Sequence, residues 1–153
     1  MRLQIKELNK DHKIMVRRNG EEKVYGYWAY FGHEMTSGYA YVIPYGQSLE
    51  KLVPGCVISV ETSHVRVEGF RRLEAAELTG IFRPQEKSGD YWIQGTIYQV
   101  MRNEAGGMDC LEIVVGDASF ILDADEMNCD VNVDVGDGVA FEIIGLQLFD
   151  EGL

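Results

Sequence analysis

The chain has 153 residues, 46% of them hydrophobic and 25% charged, which excludes a disordered polymer and fits one ordinary domain or two small ones. Its 14 Lys and Arg against 25 Asp and Glu give a net charge of -11, which disfavours a phosphate backbone as partner and favours a basic one. No apolar run approaches the roughly 20 residues that cross a bilayer, Met1–Glu7 lacks the apolar stretch of a secretory signal, and three widely spaced cysteines (Cys56, Cys110, Cys129) fit neither a disulfide framework nor a thiolate zinc site, so a reduced cytoplasmic protein without membrane contact is expected.

Taken in chain order, the apolar pattern has period two. Leu3 and Ile5 alternate with polar residues, as do Ile14 and Val16, and Asn19-Gly20 then marks a hairpin turn. Val24–Phe31 is aromatic and β-favouring on both faces. Further strands are expected at Tyr39–Ile43, Val57–Glu61, Val65–Phe70, Tyr91–Met101, Leu111–Val115, Ser119–Leu122 and Val139–Leu148. A short helical turn is expected at Ser48–Leu52, capped by Ser48, and a helix at Arg71–Leu78.

The chain also repeats itself. Around Gly55 and Gly136, offset by 81, an aliphatic stands three residues before (Leu52, Val133) and a glutamate six after (Glu61, Glu142). Val16-Arg17-Arg18-Asn19 matches Val100-Met101-Arg102-Asn103 at an offset of 84. Alternation alone would align the aliphatics but not the glycines and glutamates. The expectation is an all-β protein of two tandem small OB-like barrels, residues 1–76 and 80–153, each with its strands in sequence and a final hairpin. Charge divides along the same line. Residues 1–78 carry 11 basic and 10 acidic side chains, residues 79–153 carry 3 and 15.

Ile43-Pro44-Tyr45-Gly46-Gln47-Ser48-Leu49, Gly55 and Val60-Glu61-Thr62-Ser63-His64-Val65-Arg66-Val67 resemble the end of a Mop/TOBE-type OB domain, and Ile93-Gln94-Gly95-Thr96-Ile97 resembles its opening. The resemblance implies tandem barrels of a kind that bind molybdate-like oxyanions or regulate transporter ATPases. This chain departs from that pattern where it matters for an anion. Glu61 and Glu142 stand at the lysine position, and Pro44 and Asp125 at the threonine position. Carboxylates repel a bound anion, so oxyanion binding is not expected.

No nucleophile elbow, zincin motif or C-x-x-C occurs, so neither catalysis nor a metal or other cofactor is expected. Asp130-Val131-Asn132-Val133-Asp134 opens like a calcium loop, but its glycine and closing glutamate are out of register. Two surfaces remain. Asp123, Asp125, Glu126, Asp130 and Asp134 are expected on one solvated edge, offered to a basic protein partner. On the aromatic run, Val24, Trp28 and Tyr30 are assigned inward and Tyr25, Tyr27 and Phe31 outward, flanked by Arg17 and Arg18. The functional expectation is a non-enzymatic module that acts through a protein partner. The alternative is single-stranded nucleic-acid binding on the aromatic face of the first barrel.

Overall fold

The computed structural model describes residues 1–44, 49–127 and 132–152. Among them the fold is all-β: β1 (Arg2–Arg18), β2 (Glu21–Gly32), β3 (Ser37–Ile43), β4 (Val57–Ser63), β5 (Arg66–Arg72), β6 (Ile81–Pro84), β7 (Tyr91–Arg102), β8 (Met108–Val115), β9 (Ala118–Asp123), β10 (Gly138–Ile144) and β11 (Gln147–Asp150). Single 3-10 turns stand at Leu49–Lys51 and Ala124–Glu126; Ser48, expected to cap the first, lies outside the described residues. Leu3–Ile5 and Ile14–Val16 belong to one long strand, β1. It turns back through Asn19 and Gly20, whose φ values of 51° and 79° are the pair of positive angles a type I′ turn requires.

β1, β2, β3, β11 and β4 close into a barrel in that order. The second sheet runs β5-β10-β7-β8-β9, with β6 paired to β7. The last strand of each half has therefore crossed to the other sheet, so the boundaries 1–76 and 80–153 do not follow the sheets. β11 runs parallel to β3 (Leu148 beside Val42) and antiparallel to β4 (Leu148 beside Thr62). β5 pairs with β10, Val67 beside Ile143. The expected hairpins β4–β5 and β10–β11 are absent, and for β4–β5 the reason is local. A two-residue reversal needs positive φ at its centre, and the link His64-Val65 has no glycine and a β-branched side chain. The chain runs on instead, and the two crossovers meet where the Val65 N–H donates to the Ile144 and Gly145 carbonyls at 3.0 and 3.2 Å.

The helix expected at Arg71–Leu78 does not form. Arg71 and Arg72 are drawn into β5 by pairing with Ala140 and Val139. The residues after them turn at Glu74–Glu77, where the Glu77 carboxylate accepts from the Glu74 N–H and from Arg71. Gly55 and Gly136 sit in alike turns, at φ of 94° and 90°. Gly55 donates to Ile5 and Gly136 to Ile97, and each strand residue donates back one position on, to Cys56 and Asp137.

One core runs through both sheets. Phe31, Tyr91, Phe82, Phe120, Phe141 and Phe70 form a chain of rings with successive centroids 5.3–6.3 Å apart. Both crossovers contribute to this core: Leu148 of β11 is fully buried in the barrel, and Val67 and Phe70 of β5 are buried in the second sheet. It also redistributes charge, because Arg66, Arg71 and Arg72 now lie on the acidic sheet, where Arg72 reaches Asp137 at 3.3 Å.

Candidate functional site

The outer face of β2 and β3 carries two cross-strand rows. Glu7, Tyr30 and Tyr39 form one, and Asn9, Trp28 and Tyr41 the next. The rings touch. Trp28 lies parallel to Tyr39 within 7° at 5.7 Å and edge-on to Tyr41 at 4.9 Å, and Tyr30 stands 4.9 Å from Tyr39. All four rings are partly exposed. Between Asn9, opposite Trp28, and Lys13, opposite Tyr27, β1 bulges out by three residues that have no partner on β2. The bulge lays His12 on the array, with Nε2 2.6 Å from the Tyr41 hydroxyl and its ring 5.2 Å from Trp28. Bulge, rings and Ser88 of the loop before β7 enclose an open groove of about 750 Å³.

The phase of β2 is thus the reverse of the expected one. Phe31 is fully buried, and Tyr27 packs against the core. Tyr25 is half-buried with its ring 6.4 Å from Phe149. Trp28 and Tyr30, assigned to the core, face out. The reason is volume. β2 and β3 place Ala29 opposite Ala40 and Phe31 opposite Gly38, so a large ring faces a glycine and the barrel interior has room for one aromatic in that row. Both phases of Val24–Phe31 are equally apolar, and the signal that separates them lies on the partner strand, in Gly38-Tyr39-Ala40-Tyr41. Arg17 and Arg18 are exposed near the hairpin tip, opposite Glu22 and Glu21, and do not reach the array.

No family model, curated protein or solved structure matches the chain.

Four of the five acidic residues expected on one edge fall within the described structure. Asp123 and Asp125 are exposed. Glu126 is half-buried and committed to the fold: one carboxylate oxygen accepts from the Asp123 N–H at 3.1 Å, and the other lies 2.6 Å from His64 Nε2. Asp134 is exposed, but its Oδ1 accepts from the Val135 N–H. Asn132–Asp134 are not strand, though Val133 is buried between exposed Asn132 and Asp134. Asp130 and Cys129 lie outside the described residues.

A second histidine–carboxylate contact ties the two sheets together. Met35 N–H donates to His33 Nδ1 at 3.2 Å, which leaves Nε2 to carry the ring proton and donate to Asp117 Oδ1 at 2.6 Å. The Arg2 N–H donates to the other Asp117 oxygen at 3.0 Å. Burial works against the charged form of Asp117, but these donors and the nearby N-terminal ammonium outweigh it and hold the carboxyl below its ordinary range. A carboxylate lowered on folding contributes stability that is complete above its unfolded pKa and is lost as pH falls through its folded value. Asp117→Asn is therefore expected to lower stability at neutral pH and to flatten the decline toward acid. Urea titrations of both proteins from neutral to strongly acid pH check this; parallel declines would contradict it.

Proposed function

We propose that this chain is a non-enzymatic, cytoplasmic binding module that acts through a basic protein partner, built as two OB-like barrels that have exchanged their fifth strands. The observation that carries the function is the half-exposed array of Trp28, Tyr30, Tyr39 and Tyr41, edged by Glu7 and Asp11, on a chain of net charge -11. Aromatic rings that present both an apolar face and a polar tip are favoured in protein interfaces. A strongly negative surface speeds encounter with a basic partner, and exposed Asp123 and Asp125 add to that field.

The architectural reading is supported by the strand order. In the first barrel it is first, second, third, fifth, fourth, with the third and fifth parallel, if β11 counts as the fifth strand. The second sheet has the same order, β7-β8-β9 then β5-β10, with no β9–β5 pairing to close it. The matched turns at Gly55 and Gly136 support a repeat. No catalytic group enters the reading, which rests on the lack of a nucleophile elbow, zincin motif or C-x-x-C in the sequence. Oxyanion binding does not enter it either, with carboxylates at positions 61 and 142. Free Cys56 and Cys110 fit a reducing cytoplasm.

A second reading, single-stranded nucleic acid, is favoured by one observation. A row of partly exposed rings beside Lys10 and Lys13 resembles the stacking face such binders use. Immobilised protein challenged with native cytosol separates the two. Basic proteins released by salt, and lost on Trp28→Ala with Tyr39→Ala, are expected. Recovery of nuclease-sensitive material alone would establish the second reading instead.

A further inference from the structure

We infer that the groove between the β1 bulge and the aromatic array receives an extended, arginine-bearing segment of the partner, and this rests on the reading of the chain as a module for a basic protein. Three features select that occupant. First, the groove is an open trough, so it suits a chain lying along it better than a compact molecule enclosed on all sides. Second, Lys10, Asp11 and His12 have no ladder partner on β2, and the Asp11 N–H is turned onto the Asn9 side chain at 3.0 Å. Backbone displaced from a ladder offers its remaining groups to another chain.

Third, the charges in the trough are placed for a guanidinium. Glu7 shares a row with Tyr30 and Tyr39, so a carboxylate stands at the end of two rings. Asp11 of the bulge lines the same trough. A guanidinium stacks on an aromatic face and donates its planar fork to a carboxylate at once, which an ammonium does less well. A phosphate would meet both carboxylates at close range, and among the described residues Lys10 is the sole cation lining the trough. Lys10 is exposed on a flexible stem and is free to turn to solvent.

The chain has two tryptophans, so Trp92→Phe leaves Trp28 as the only indole reporter. The probe is a peptide of alternating Arg and Pro, with the Glu-Pro peptide, oligothymidylate and cellohexaose as comparators. Arg-Pro is expected to shift Trp28 emission saturably and more weakly as salt rises. Glu7→Gln with Asp11→Asn is expected to weaken it by about tenfold or more. Glu74→Gln with Glu104→Gln, which removes the same charge from exposed sites elsewhere, is expected to leave affinity within about twofold. Circular dichroism confirms that each variant is folded. Equal or tighter binding of any comparator overturns the inference, as does a trough variant that binds like its control. If Asp123→Asn with Asp125→Asn abolishes binding while the trough variant does not, the basic-partner reading stands and the trough is not its seat. If no basic probe or partner binds at all, both fall.

Discussion

Residues 1–76 produced alone are expected to be unfolded, and removal of Gln147–Leu153 from the full chain is expected to open the barrel. The reason is the exchange of strands. Without β11, β3 and β4 each lose a ladder partner, and Leu148 leaves a core in which it is fully buried. Leu148→Ala alone should cost about 2–5 kcal/mol, the range for a buried leucine. Loss of the whole strand adds unpaired backbone on two edges, against a total stability of about 5–15 kcal/mol for a domain. The fragment's β5 would also carry Phe70 and Val67 with no sheet to bury them against. Circular dichroism and amide dispersion in NMR spectra give the readout. A cooperatively folded 1–76 fragment would show that the first half closes on its own last strand.

Phe31→Ala is expected to destabilise the protein by about 3–5 kcal/mol, as for a fully buried aromatic. Trp28→Ala, three residues earlier on the opposite face, should cost roughly half that or less, because its ring is already partly in solvent. The order of the two effects is the test of the β2 phase. Phe31 lies opposite Gly38 and 6.1 Å from Tyr91, so its loss empties a volume that backbone on one side and a rigid ring on the other cannot refill. Urea denaturation of both variants reads this directly. A Trp28→Ala variant less stable than Phe31→Ala would restore the reverse phase.

The contrast between these residues shows what is legible in a sequence of this kind. Alternation locates strands, and Asn19-Gly20 locates a turn, because both are local consequences of backbone sterics. Ten of the eleven strands fall on stretches that the pattern marks; β6 escapes, since four residues ending in Pro84 carry no period. Which phase of an aromatic run faces inward depends on the partner strand, here on Gly38 and Ala40. Which sheet receives the last strand depends on connections of two residues, His64-Val65 and Gly145-Leu146, and the hydrophobic pattern of β5 or β11 is the same in either place. The acidic run is visible in composition. The donors that engage it are not, because His64 and Arg72 lie 62 and 65 residues from Glu126 and Asp137. The aromatic residues stand out in the sequence, but the members that form the surface (Trp28, Tyr30, Tyr39 and Tyr41) are those that the register selects.

The claim that the working surface is the aromatic face beside the β1 bulge is tested most directly by amide hydrogen exchange on the complex with a captured basic partner. Protection is expected in Glu7–Lys13, Trp28–Tyr30 and Tyr39–Tyr41, with Ala118–Glu126 unchanged. Protection confined to Ala118–Glu126, with the bulge and the aromatic rows exchanging as in the free protein, would contradict it.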